Sequence, residues 1–283
     1  MLHLLALSGV VLISFSAVFV RLASVSPVTV TFFRAAYAIP PLAILWFVQR
    51  ARDTRRGRDR LIAFASGLVL AADLNVWHES IGLIGAGLGT VIPNVQVVFV
   101  TIAAWMFHRE RPTLRRLGTT ALVAAGVMLA SGLARDDAYG SHPALGVALG
   151  VVAGLCYAGY ILIFRAATQA RTPPSGPLLD ATIGMLAGAL VCIPLDARFT
   201  WTPGADATLW LVLLALVSQV VGWLLIARAM PRLPAVETSI LLLGQPVITV
   251  IWGRVWFAER LSPLQWAGCV LVLLGVGTLR TGE

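Results

Sequence analysis

Ten apolar runs of membrane-crossing length alternate with short polar segments along the chain. They cover about Leu4–Val20, Val28–Val48, Leu61–Leu83, Gly87–Phe107, Leu114–Leu133, Ala144–Phe164, Leu178–Leu195, Leu209–Met230, Ala235–Phe257 and Leu264–Leu279. A hydrocarbon core of about 30 Å needs roughly 20 apolar residues in helical form. The pattern therefore predicts an all-α integral membrane protein with ten transmembrane helices. Arg clusters, Pro or Gly bound most of the runs. The third and fourth are separated only by a charge-free turn, Ile84-Gly85-Ala86. No basic residue precedes the first run, which is of span length, so a retained helix is expected there in preference to a cleaved signal peptide.

Composition agrees with this reading. Of 283 residues 58% are hydrophobic and 12% charged, and the mean hydropathy is +0.87. A soluble domain carries about 25% charged residues, so this chain could not cover a water-facing surface. The net charge of +8 resembles that of a nucleic-acid binder, but the basic residues sit in short loops between apolar runs. All 21 of them are Arg. Fifteen fall on one side: Arg50, Arg52, Arg55, Arg56, Arg58, Arg60, Arg109, Arg111, Arg115, Arg116, Arg165, Arg171, Arg228, Arg232 and Arg280. Four, Arg21, Arg135, Arg198 and Arg260, fall on the other. Positive loops stay inside, which predicts a multi-pass protein of the inner (plasma) membrane with both termini cytoplasmic. Cys156, Cys192 and Cys269 lie singly in apolar stretches, without the spacing of a zinc site or a disulfide framework.

A shift of 149 residues superposes parts of the two halves. Glu110-Arg111 falls on Glu259-Arg260, Leu122-Val123 on Leu271-Val272, Gly126-Val127 on Gly275-Val276, and Ala86 on Ala235. The expected organisation is two five-helix repeats, 1–136 and 144–283. Five is an odd number, so the second repeat enters the membrane from the opposite side. Inverted repeats of this kind place a substrate site near the midplane, between halves that rock to expose it alternately.

The residues that carry these correspondences resemble a known family. Glu110-Arg111-Pro112-Thr113…Gly118 and Glu259-Arg260-Leu261-Ser262-Pro263-Leu264-Gln265-Trp266-Ala267-Gly268 are similar to helix openings of the EamA-type branch of the drug/metabolite transporter superfamily. Arg21-Leu22-Ala23…Ser26-Pro27…Arg34 resembles its helix 1–2 hairpin. Arg228-Ala229…Leu233-Pro234-Ala235 resembles its helix 8–9 turn, and Gln245-Pro246-Val247 its mid-helix-9 proline. The resemblance implies a ten-helix carrier of small metabolites, often outward, and leaves the substrate unnamed. It also implies a central cavity walled by helices 1, 3, 4, 6, 8 and 9.

Polar groups in hydrocarbon are costly, so each marks a cavity, a partner or a helix contact. Asp73, in the middle of the third run, is the sharpest signal: it could bind a substrate ammonium, exchange a proton, or form a buried pair with an arginine such as Arg34. Trp77 lies one turn on. His78 titrates near neutrality when unperturbed, making Asp73 and His78 the candidates for proton coupling; a packing histidine is the other reading. Glu79 is expected to pair with Arg34 or Arg254. Pro93 and Pro246 are candidate hinges. A helix proline removes one hydrogen bond and crowds the carbonyl four residues back, here Gly89 and Leu242. Asn94, Gln96 and Gln245 either line a site or join helices. Tyr157, Tyr160, Gln219 and Trp223, with Phe15 and Trp252, are candidate cavity walls; belt or lipid-facing positions are the alternative. Trp46, Trp105, Trp201, Trp210 and Trp256 are assigned to the interface belt. Small residues every fourth position, Gly146-Gly150-Gly154-Ala158 and Gly184-Gly188, suit close helix packing, in a monomer or a weak dimer. The Glu-Arg pairs read as structural brackets between helices.

There is no G-x-x-x-x-G-K-[ST] loop and no lysine to complete one, so ATP-driven pumping by this chain alone is not expected. No catalytic or metal-ligand motif appears, and no cofactor, metal or nucleic acid is expected. The reading is a secondary transporter, not an enzyme, moving a small polar or zwitterionic, amino-acid-like metabolite, in the direction of export. The alternatives are an exporter of amphipathic drugs or other metabolites, and an integral-membrane enzyme.

Overall fold

The computed structural model describes residues 2–96, 98–99, 140–167, 172–229 and 244–278, with scattered positions between 118 and 129. The described residues are helical throughout, apart from turns. The helices are α1 (Leu2–Ser14), α2 (Ser16–Ala23), α3 (Pro27–Gln49), α4 (Gly57–Val91), α5 (Pro143–Ala167), α6 (Ser175–Cys192) and α7 (Ala205–Leu213). A π-helical segment (Leu214–Gly222) joins α7 to α8 (Trp223–Ala229), and α9 (Gly244–Phe257) and α10 (Pro263–Thr278) follow. Among the described residues five segments are long and apolar enough to cross a membrane: Pro27–Arg52, Gly57–Val95, Pro143–Phe164, Ser175–Leu195 and Ala205–Arg228. Glu110, Arg111 and the fifth apolar run's helical packing lie outside what is described.

The charge-free turn does reverse the chain. Gly85 interrupts α4 with φ 82° and ψ 169°, a region essentially reserved for glycine. Beyond it a Cβ on Gly89 would stand 3.1 Å from the Cα of Ile81. On a continuous helix those residues would be about 12 Å apart. Two devices satisfy the backbone exposed at this turn. The Ser141 N–H donates to the Leu83 carbonyl at 2.9 Å. The buried Glu259 carboxylate accepts the N–H groups of Ala86 (2.7 Å) and Gly87 (3.0 Å), the first donors of the returning arm, and pairs with Arg21. Glu259 thus brackets distant helices, its carboxylate acting as a remote N-cap to the returning arm.

The first apolar run differs from expectation: its helix is interrupted at Phe15. The Ser14 carbonyl accepts the Thr249 hydroxyl (3.1 Å), and the Ser14 hydroxyl accepts the Trp252 indole N–H (3.0 Å), so α9 supplies partners at the break.

α3 and α6 run antiparallel. The Ser175 hydroxyl donates to Gln49 Oε1 at 3.0 Å at one end, and the Thr200 N–H donates to Thr29 Oγ1 at 3.1 Å at the other. These contacts define two faces. The first carries the Arg50–Arg60 loop, where Arg55 joins Asp53 (2.8 Å) to Asp180 (2.7 Å) and Arg60 adds a second contact to Asp180 (3.2 Å). Hydrogen bonds from Arg55, reinforced by the Trp46 indole and opposed by burial, hold the Asp53 carboxyl down at about 2. On the opposite face Glu79 pairs with Arg198 at 2.8 Å. This corrects the expected pairing with Arg34 or Arg254: Glu79 stands almost two turns beyond Asp73, beside the turn that follows α6, where Arg198 lies.

The glycine stripe of α5 packs on α4 and the turn after it. Cβ atoms at Gly146, Gly150 and Gly154 would meet Ile84 Cγ2 (2.5 Å), Ile92 Cγ2 (2.8 Å) and the Pro93 carbonyl (2.7 Å). The closest approach is between α4 and α6. A Cβ on Gly67 would fall 1.8 Å from the Ala181 carbonyl, and one on Gly184 1.9 Å from the Phe64 carbonyl. Trp210, assigned to the belt, is half-buried and stacks on Phe19 (6.1 Å) at the edge of the core.

Two predictions follow from this packing. Gly184→Ala places a methyl against backbone that cannot rotate away, and overpacking costs about 1–3 kcal/mol. Its melting temperature in detergent should drop by several degrees, whereas Gly57→Ala, with open space around it, should match the wild type. Asp53 has a folded-state pKa below its ordinary value of 3.8, so its contribution is complete above that value and is lost as the pH falls through it toward about 2. The melting-temperature gap between wild type and Asp53→Ala should therefore be constant above pH 5 and shrink below pH 4. A gap that widens on acidification would refute the assignment.

Candidate functional site

Several polar side chains meet between α3, α4, α5 and the π segment. Arg34 is 4% exposed, Asp73 6%, Gln219 1% and Tyr160 1%. Arg34 Nε donates to Gln219 Oε1 at 2.8 Å. The guanidinium is within electrostatic reach of Asp73, Tyr160 and Tyr157. Asp73 has no hydrogen bond and no ion pair within 4.0 Å among the described residues. Arg34 Nη1 and the Tyr160 hydroxyl are likewise buried without a partner among the described residues. A guanidinium, a carboxyl group and a phenol thus lie within electrostatic reach of one another, each with unused hydrogen-bonding capacity among the described residues.

Aromatic rings pack around these groups in one buried cluster. Tyr157 and Tyr160 stack at 6.0 Å, and Trp223 stands edge-on to Tyr160 at 6.0 Å and 87°. Phe15 stacks on Trp252 at 4.6 Å and on Phe19 at 5.7 Å. These rings belong to one buried cluster or pack against it, apart from Trp252, which joins through Phe15.

Local sequence explains how the groups are aimed. In the π segment the helix takes one extra residue per turn, a geometry frequent at functional sites. It presents the Gln219 amide to Arg34, while Ser218 donates to the Leu12 carbonyl at 3.0 Å. Near Pro93 the chain tightens into a 3₁₀ turn, Ile92–Val95. The Gly89 carbonyl that Pro93 disfavours as a helix acceptor takes the Trp77 indole N–H at 2.9 Å. The Asn94 amide donates to the carbonyls of Thr90 (2.9 Å) and Val91 (3.0 Å).

The sequence-derived candidates therefore separate. Asp73, Tyr157, Tyr160, Gln219 and Trp223 come together. Trp77 and Asn94 are occupied with the backbone around Pro93. His78 is buried on another side of α4, with Nδ1 3.3 Å from Thr31 Oγ1 and 3.5 Å from the Pro27 carbonyl. Gln96 Oε1 is buried without a partner among the described residues. Gln245 is half-buried, and its carbonyl accepts the Thr249 hydroxyl at 2.9 Å. Pro246 is buried in the first turn of the described part of α9, and Leu242 lies outside the described residues. Sequence reasoning missed Arg34 as a site residue, considering it only as a neutralising partner. The signal was its position inside an apolar run, away from either cluster of loop arginines. The described residues contain no group of three His, Cys, Asp or Glu able to hold a metal.

The family profile described as the EamA-like transporter family matches residues 1–132 and 144–281. An uncharacterized transporter of Bacillus subtilis (strain 168), YwfM, is 26% identical over 222 residues, covering 76% of this chain and 71% of that protein. An uncharacterized transporter of Archaeoglobus fulgidus is 24% identical over 270 residues, covering 93% and 92%. A solved crystal structure shares the fold with a TM-score of 0.66 at 14% identity, over 98% of this chain and 96% of that one. With its apolar helices and a family profile matched along nearly its whole length, the chain is a multi-pass membrane protein that belongs to the EamA-like transporter family.

Proposed function

We propose that this protein is a secondary transporter of a small zwitterionic, amino-acid-like metabolite, bound between Arg34 and Asp73 and released by alternating access. The observation that carries the reading is a buried guanidinium and a buried carboxyl group that do not contact each other. Arg34 Nη1 and the Tyr160 hydroxyl offer donors to a carboxylate, and Asp73 offers an acceptor to an ammonium. The rings of Tyr157, Tyr160 and Trp223 accept an apolar side chain. Such a site, apolar with a few placed polar groups, suits a small molecule. In hydrocarbon each charge is costly alone, so a ligand that joins the two relieves both.

Two five-helix repeats of inverted topology, 1–136 and 144–283, underlie the alternation. The two family matches, over 1–132 and 144–281, support that division. The direction we assign is export across the inner membrane, with both termini cytoplasmic; the arginine-rich loop between α3 and α4 supports the orientation. Asp73 is the group through which proton exchange would couple to transport, with His78 as the second candidate. The aromatic walls also favour an amphipathic solute, which makes amphipathic drugs or other metabolites the second reading.

Counterflow in proteoliposomes, screened across amino acids and amphipathic amines, tests the proposal. Wild-type protein should exchange a zwitterion and discriminate against the same molecule lacking its carboxylate. Asp73→Asn and Arg34→Gln should each reduce exchange at least tenfold while keeping a monodisperse, folded protein. Wild-type flux from folded Asp73→Asn would sink the assignment. An imposed pH gradient should drive substrate above its equilibrium distribution in wild type; accumulation only to equilibrium would instead establish facilitated diffusion.

A further inference from the structure

On the face opposite the arginine-rich loop a pocket of about 260 Å³ opens between the start of α3, the far end of the first arm of α4, α5 and the turn after α6. Asn75, Glu79, Asp196 and Arg198 supply its polar lining, and Leu149 and Leu195 part of its apolar wall. It is separate from the Arg34–Asp73 centre. Around the helix Asn75 lies about 200° from Asp73, whereas Asn75 and Glu79, four residues apart, share a face.

The lining is unbalanced. Arg198 Nη2 is committed to Glu79 at 2.8 Å. Asp196 Oδ1 accepts the Arg198 backbone N–H at 3.0 Å and lies 3.7 Å from its Nε. Two carboxylates therefore share one guanidinium. The Asp196 side chain is 9% exposed, and its Oδ2 has no partner among the described residues. Both polar atoms of the Asn75 amide are also buried and unpartnered there, which holds whichever way the amide is turned. Buried polar groups are normally satisfied, and here two acceptors and one donor lie buried and unpartnered on residues that line a cavity with excess negative charge.

We propose that this pocket is a second binding site, for a primary ammonium group with an acceptor oxygen on the neighbouring carbons. An ammonium has three donors and no acceptor: it would bond Asp196 Oδ2 and the Asn75 carbonyl oxygen. The Asn75 amide N–H then meets the ligand's own oxygen, and Leu149 and Leu195 cover its carbons. That chemistry occurs in a phosphatidylethanolamine headgroup and in free amino-alcohols or amino acids. The assignment does not depend on the central site.

Thermal unfolding in phosphatidylcholine nanodiscs tests it, with two additions made separately: free ethanolamine, and phosphatidylethanolamine replacing part of the lipid. A ligand that binds only the folded state raises the melting temperature. At least one addition should raise that of the wild type by several degrees; choline, whose quaternary ammonium has no N–H to donate, should not. The lipid arm alone responding identifies a headgroup, and both responding a soluble amine as well. Asp196→Asn and Asn75→Leu, each compared with its own melt in phosphatidylcholine, should lose the increment, and Asp73→Asn should keep it. No increment in wild type, or one that survives both pocket substitutions or disappears with Asp73→Asn, overturns the proposal.

Discussion

Backbone N–H and C=O groups have no water to turn to inside a bilayer, and the described part of this fold is organised around that constraint. Regular helices meet it by themselves, yet several here are irregular. Loose ends of these irregularities are taken up by side chains from elsewhere in the fold. Glu259 takes the free N–H groups beyond Gly85, Trp77 reaches across the hairpin to the Gly89 carbonyl, and Thr249 takes the Ser14 carbonyl. The bonds that repair the backbone therefore also dock the helices. Interhelical hydrogen bonds in membranes average about 0.6 kcal/mol by mutant cycles, so no single one holds the bundle, and their value is in fixing register.

The same irregularities shape the centre. The π segment turns Gln219 toward Arg34, the break at Phe15 sets a ring against Trp252, and the 3₁₀ turn at Pro93 anchors Trp77. Among the polar groups left over after that accounting are Arg34 Nη1, the Asp73 carboxyl and the Tyr160 hydroxyl at the centre. A carrier needs such a remainder. Affinity for a polar solute in hydrocarbon requires donors and acceptors that the fold itself has not consumed.

Much of this was legible in the sequence wherever the physics is local. Helix boundaries follow from apolar run length, as α3 against Val28–Val48 shows. The reversal at Gly85 follows from a glycine in a charge-free, Gly-rich stretch, and the loss of the Gly89 helix bond from proline geometry. Tertiary partners were not legible. Nothing near residue 89 announces Trp77, and Arg34 meets a glutamine 185 positions away. The π segment, Leu-Ala-Leu-Val-Ser-Gln-Val-Val-Gly, carries no Gly or Pro in its interior and is apolar nearly all round, so no periodicity betrays the extra residue per turn.

The contact between Gly67 on α4 and Gly184 on α6 has a mechanical corollary. Backbones that touch with no side chain between them have no compressible layer to deform, and these two helices come one from each half of the chain. Separating them would open a void that neither lipid nor a neighbouring rotamer could fill. In the alternation we propose, relative motion of the halves near this seam is limited to pivoting about it or sliding along it, which makes the glycine pair a fulcrum and leaves the larger displacements to the helices farthest from it.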